Sequence, residues 1–191
     1  MAGRRSDTRE RIQQVALDLF VEQGYEKTSL REIAERLEVT KAALYYHFRT
    51  KEDIVRSLFE DIAGAVDEVL AWAEEQGDQL NREDLVRRLS QLVQGRFVPI
   101  WRFVQENQNA LKELHVSNPL MSRMQAMMKL LCPAGADADT QLRTRLALVA
   151  LIMGHNPEVL PDTSEKQRPE VALRVALELV SPRGREVEPS T

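Results

Sequence analysis

Apolar residues recur every three to four positions along almost the whole of this chain, and no stretch alternates polar with apolar for long enough to make a strand. That period restricts the fold to packed helices. Ile12, Val15, Ala16, Leu19 and Phe20 share one stripe, which predicts a first helix from about Thr8 to Gln23 with Gly24 as its left-handed cap. Ser29 with Glu32 three residues on is a capping box for a short second helix that places Leu30, Ile33, Ala34 and Leu37 on one face and stops near Glu38. After that brief break, Thr40 caps a third helix ending near Phe48. Thr50 with Asp53 opens a fourth, in which Val55, Leu58, Ile62, Val66, Val69 and Ala73 keep the helical period. At about 25 residues it would reach roughly 37 Å, long enough to pass from one domain into another.

Beyond a polar break at Gln76 to Leu80, Asn81 opens a fifth helix whose pattern contains Pro99, so that helix either ends before the proline or kinks there. The pattern resumes from Trp101 to about Val116. Ser117-Asn118-Pro119 reads as cap and first-turn proline for a helix to Leu131, and PAGADA (133–138) as a linker. Asp139 opens a helix through Gly154 that is apolar on nearly every side from Leu146 to Met153, as a helix buried by partners on several faces would be. Pro169 begins a last helix to Val180, and the tail 181–191 reads as disordered.

Composition removes several classes of protein. Cys132 is the only cysteine, so no intrachain disulfide framework is possible, and no Cys/His cluster has zinc spacing. The longest apolar run, Leu146 to Met153, has eight residues where a membrane span needs about 20. A soluble, cytoplasmic chain is the expectation. Nucleophile-elbow, Walker A, HExxH and dinucleotide-binding motifs are missing, so no enzyme and no cofactor are expected. The net charge of -4 is unevenly spread: residues 1–51 carry ten Lys/Arg against eight Asp/Glu, and the remainder sixteen against twenty-two. A weakly basic head on an acidic body is compatible with nucleic-acid binding by the head.

The spacing of the second and third helices is that of a helix-turn-helix, whose second helix enters the major groove. On the third helix, Thr40, Lys41, Tyr45, Tyr46, His47 and, beyond it, Lys51 supply donors for phosphates or base edges, while Ala42 and Ala43 permit close approach. The string VALDLFVEQGYEKTSLREIAERLEVTKAALYYHFRTKEDI resembles the DNA-binding head of TetR-type bacterial transcriptional regulators, with the likeness running from about Arg11 to Ile54. One departure is Glu38, at a turn position that commonly holds glycine.

The resemblance implies an all-α fold: a three-helix helix-turn-helix head (residues 1–51) joined by a long helix to a helical effector-binding and dimerisation domain (52–180). It implies a homodimer that reads a palindromic operator in double-stranded DNA, probed by two recognition helices, with repression as the default action. Thr40 to Tyr45 would face the groove, Tyr46, His47 and Lys51 would hold phosphates, and Thr28 and Ser29 would anchor the other groove wall. The last two long helices would dimerise, consistent with the several apolar faces around Leu146 to Ile152. A small apolar effector would sit against Phe97, Trp101, Phe103, Met124 and Met128, and would tilt the long helix to release DNA.

Plainer readings stand beside these. Aromatic residues at a helix end, methionines at helical spacing, and Phe97, Trp101 and Phe103 beside Pro99 are all common core residues. Arg4, Arg5, Arg9 and Arg11 fit a solvated terminus or a minor-groove arm. The functional alternative is a DNA-binding architectural or protein-partner-regulated dimer without an effector pocket.

Overall fold

The computed structural model describes residues 2–107 and 118–181, and every regular element among them is helical. In chain order these are α1 (Ala2–Gln23), α2 (Leu30–Arg36), α3 (Lys41–His47), α4 (Lys51–Gln76), α5 (Arg82–Leu92), α6 (Val98–Glu106), α7 (Asn118–Leu131), α8 (Ala138–Met153) and α9 (Arg168–Val180). The tail from 182 onward, expected to be disordered, and the helical stretch expected up to Val116 beyond residue 107 lie outside the described residues.

The local signals translate directly into caps. Ser29 and Glu32 form the reciprocal capping box of α2, and the Thr50 and Asp53 side chains accept each other's backbone N–H at the start of α4. Gly24 takes φ 93 after α1. Two expectations need correction. First, α1 begins at Ala2, well before Thr8, so the arginine-rich N-terminus is helical backbone. Second, α8 is capped by Asp137, whose carboxylate accepts the Thr140 N–H at 2.7 Å, so the cap lies two residues before the expected Asp139. The fifth helix ends at Leu92, before Pro99, which is the first of the two outcomes expected. A π-helical segment, Val93–Phe97, links α5 to α6 and leaves Pro99 in the first turn of α6, where its missing N–H breaks no helical hydrogen bond.

The helices pack as two compact units, one containing residues up to Asp67 with Arg96–Arg123, the other Glu68–Gly95 with the chain from Met124. The domain boundary expected at residue 51 marks the start of α4, whereas the first unit also takes the N-terminal part of α4 and α6. The reason is side-chain packing: Ile54, Val55, Leu58 and Ile62 of α4 and Ile100 and Phe103 of α6 are buried with Ile12, Ala16 and Phe20 of α1, Ile33 of α2 and Leu44 of α3. A polar bridge fastens the same elements. Gln13 donates to Ser57 Oγ at 2.8 Å and to Asp61 at 2.6 Å, and Arg9 pairs with the same carboxylate at 3.2 Å.

In the second unit, α8 packs against α9 through small residues. Ala172 and Ala176 are buried, and a Cβ placed on Gly154 would lie 2.5 Å from the Ala172 Cβ, so the two backbones approach as closely as glycine permits. Arg143 donates to the Glu178 and Leu179 carbonyls at 2.6 and 3.1 Å, satisfying acceptors that the end of α9 leaves open. One face of α8 (Thr144, Ala147, Leu148, Leu151) is buried, whereas Leu142, Leu146 and Val149 are 56%, 45% and 50% exposed. At 100° per residue these two sets lie on opposite sides of the helix. The apolar character seen all round α8 in the sequence therefore resolves into one covered and one uncovered face.

Candidate nucleic-acid interface

α2 ends in a Schellman arrangement: Val39 N–H reaches the Ala34 carbonyl and Glu38 N–H the Glu35 carbonyl, each at 3.1 Å. Glu38 occupies the left-handed position, at φ 56, that this motif usually assigns to glycine. The chain then turns within two residues into α3, capped by the Thr40 hydroxyl, which accepts the Ala43 N–H at 3.2 Å.

Leu44 and Phe48 anchor α3 in the core, and this choice of buried face decides what the rest presents. Thr40, Lys41, Ala42, Ala43, Tyr45 and Tyr46 are exposed, with Tyr45 at 50% and Tyr46 at 64%. Large aromatic rings exposed at those levels leave an apolar face in water. The His47 ring is half-buried and stands edge-on to Tyr46, with ring centroids 5.3 Å apart. The face that results combines one ammonium, two phenols, a hydroxyl and small residues, a set suited to phosphate and base-edge contacts.

The other sequence candidates are placed differently. Ser29 is exposed but committed to its cap, accepting the Glu32 N–H and donating to the Glu32 carboxylate at 2.7 Å. These bonds from Ser29 hold the Glu32 carboxyl below its ordinary pKa. Thr28 is buried at 2%, its hydroxyl donating to the Gly24 carbonyl at 2.9 Å. Thr28 is thus a structural cap on the end of α1, which corrects its expected role on the groove wall. Lys51 is half-buried: its ammonium donates to the Tyr25 carbonyl at 2.7 Å and more distantly to that of Glu26, and lies 4.5 Å from the centre of the Tyr25 ring. An ammonium has three donors, so one N–H is left for a phosphate.

Tyr25 itself was not among the sequence candidates, although the only hint was present: an aromatic residue directly after the glycine cap in an otherwise polar turn. Its hydroxyl donates to Glu52 at 2.8 Å, and its N–H to Asn107 Oδ1 at 3.3 Å. Burial, reinforced by the Glu52 carboxylate, pushes the phenol pKa well above its ordinary value. Burial works to raise the Glu52 pKa, but its own backbone N–H and the Tyr25 hydroxyl outweigh that and hold it low.

Of the expected effector walls, Phe103 is fully buried in the core of the first unit, against Phe20 and Tyr25 with centroids 5.4 and 6.1 Å away. It is a core residue, which corrects its expected role as a wall. Trp101 is half-buried in the first unit, Phe97 lies on the π-helical segment, and Met124 (39% exposed) and Met128 (half-buried) belong to the second unit.

Residues 12–58 match the family model for bacterial regulatory proteins of the tetR family. Residues 12–58 of this chain are thus similar to that family. Among curated relatives, this chain is 46% identical over 54 residues to the HTH-type transcriptional regulator AcrR of Shigella flexneri, covering 28% of this chain and 25% of that protein. It is 44% identical over 46 residues to the biofilm operon icaADBC negative transcriptional regulator IcaR of Staphylococcus epidermidis, covering 24% of this chain and 25% of that protein. The chain thus spans about a quarter of the length of each. AmtR of Mycobacterium smegmatis superposes with a TM-score of 0.63 at 26% identity, covering 92% of this chain and 87% of that one. Among the described residues no helix is long and apolar enough to cross a membrane.

Proposed function

We propose that this chain is a ligand-responsive transcriptional repressor that binds a palindromic operator as a homodimer. The observation that carries this reading is the exposed face of α3. Residues 40 to 46 present an ammonium, two phenols and a hydroxyl from a capped helix whose other side is locked in the core by Leu44 and Phe48. The name of IcaR, a relative 44% identical over 46 residues, as a negative regulator supports repression.

In this reading residues 1–51 read DNA, and residues 52–180 dimerise and bind a small apolar effector. Dimerisation is supported by the uncovered face of α8, Leu142, Leu146 and Val149, with Val175 of α9 at 38% exposure. α6 is a natural carrier of the effector signal, because Ile100 and Phe103 are buried in the same core as α1 and α3. Lowering DNA affinity a hundredfold requires the effector to favour the non-binding state by about 2.7 kcal/mol, within the ordinary range of allosteric coupling.

The test is selection from a randomised duplex library with the purified chain, followed by footprinting on the selected sequence. The expected result is a two-fold symmetric site with half-sites about one helical turn, roughly 34 to 36 Å, or a multiple of it apart. Recovery of sequences with no common element, and affinity set by salt alone, would reject the operator reading.

A further inference from the structure

Every polar and aromatic group of Tyr25 is engaged, and the engagements come from different helices. Its N–H donates to Asn107 Oδ1 at 3.3 Å, just beyond the end of α6. Its carbonyl accepts from Lys51 Nζ at 2.7 Å, at the start of α4. The ring is held edge-on by Phe20 of α1 with centroids 5.1 Å apart, and the hydroxyl donates to Glu52. Asn107 is itself fixed: its Nδ2 donates to the Phe103 carbonyl at 3.0 Å, and the same carbonyl accepts its backbone N–H at 3.0 Å. One amide side chain therefore grips the last turn of α6 with its donor and the turn after α1 with its acceptor.

Lys51 is the far end of this chain of contacts. A lysine side chain has four rotatable bonds and a compact charge, so its value as a phosphate contact depends on what confines the ammonium. Here the confinement comes from the Tyr25 carbonyl and the face of the Tyr25 ring, 4.5 Å away. The turn that presents both is short and follows Gly24 at φ 93, and its N–H at residue 25 is held by Asn107. Resting on the operator-binding reading above, we infer that Asn107 is a positioning residue for the Lys51 phosphate contact. Through Tyr25, the end of α6 sets where the Lys51 ammonium is held. Movement of α6 would then reach the DNA-binding surface by way of one hydrogen bond to one peptide group, without any displacement of α3.

The experiment measures operator affinity across a salt series for the full chain and for Asn107→Ala, Asn107→Asp, Lys51→Ala and the Asn107→Ala/Lys51→Ala double variant. Each phosphate contact contributes about 0.9 to the slope of log K against log salt. Lys51→Ala and Asn107→Ala are each expected to reduce the slope by about 1, and the double variant by no more than either alone. Asn107→Asp keeps an oxygen to accept the Tyr25 N–H but loses the Nδ2 bond to Phe103, and its slope is expected to lie between those of the wild type and Asn107→Ala. Exchange of the Tyr25 amide, followed by NMR, is expected to be slow in the wild-type chain and in Asn107→Asp and faster in Asn107→Ala.

A wild-type slope in folded Asn107→Ala, additive losses in the double variant, or no change of slope in Lys51→Ala would each overturn the inference. Should Asn107→Ala fail to fold, rapid exchange of the Tyr25 amide in the wild-type chain, or a slope in Asn107→Asp reduced as far as in Lys51→Ala, would do the same. Failure of the wild-type chain to select any operator would overturn the operator-binding reading itself, a different result from normal binding with unchanged slopes.

Discussion

The Phe103 ring lies 5.4 Å from the Phe20 ring, so a side chain of α6 completes the core of the helix-turn-helix head. Both rings are fully buried, and Tyr25 closes the cluster from the α1–α2 turn. The head is therefore not a self-contained unit of three helices.

Phe103→Ala is expected to destabilise the first unit by about 3 to 5 kcal/mol, the usual range for emptying an aromatic site in a packed core. Urea denaturation followed by circular dichroism measures it. A loss below about 1 kcal/mol would mean that the head holds its core without α6.

Glu38→Gly is expected to stabilise the chain, by up to about 1 kcal/mol. Glu38 sits at φ 56, where a Cβ is strained and glycine is not, and the greater freedom of glycine in the unfolded chain offsets part of the gain. Glu38→Val should be destabilising, because a β-branched side chain is least tolerant of that region. The ordering Gly, Glu, Val in melting temperature is the check, and Val above Glu would contradict the strain argument.

Much of this was legible in the sequence for a physical reason: caps, turns and short helices are decided by residues a few positions apart. Ser29 with Glu32, Thr50 with Asp53 and Gly24 all do in the structure what their spacing predicts. What could not be read is which distant surfaces meet. Phe103 looks the same in sequence whether it lines a cavity or fills the head, and only the fold brings it to Phe20. Thr28 and Ser29 are adjacent hydroxyls, yet one is turned into the protein onto the Gly24 carbonyl and the other is exposed. Leu146 and Leu148 stand two residues apart in an unbroken apolar run, and helix geometry sends only the second inward.

Gly154→Ala is expected to destabilise the second unit by about 1 to 3 kcal/mol, the cost of overpacking a tight site. The added Cβ would meet the Ala172 Cβ at 2.5 Å and the Ala150 carbonyl oxygen at 2.7 Å, and the latter is backbone that cannot rotate away. Restoring room with Ala172→Gly should recover part of the loss. Equal melting temperatures for wild type and Gly154→Ala would show that α8 and α9 separate at little cost.

Stability should fall as pH drops below about 6.5, the ordinary value for histidine, through burial of His155. Its Nε2 is buried without a hydrogen-bond partner among the described residues, and desolvation of the charged form holds its pKa below that of the unfolded chain. The folded state therefore binds fewer protons. Stability is present in full above 6.5 and is lost as pH falls from there toward the lower folded-state pKa. Denaturation midpoints between pH 7.5 and 5.5 for wild type and His155→Gln measure this window. A pH dependence unchanged in the variant would assign it to other groups.

Dimer assembly is expected to depend on Leu146 and Val149 rather than on Leu148. Leu146 and Val149 are 45% and 50% exposed on the uncovered face of α8, whereas Leu148 is 6% exposed and packs inside its own chain. A charge at Leu148 would therefore unfold the second unit and reveal nothing about association. A charge at the exposed positions leaves the chain's own core intact and is tolerated by a solvated helix face. Packing this face against its two-fold copy, with Val175 of α9 alongside, would give a four-helix arrangement of the kind that buries such stripes. The Leu146→Glu/Val149→Glu variant should keep the wild-type circular dichroism spectrum and sediment as a monomer at concentrations where the wild-type chain sediments as a dimer. Loss of operator binding should follow, because two half-sites can no longer be held at once. A variant that remains dimeric with unchanged affinity would place the interface on another surface and leave the exposed stripe of α8 without this role.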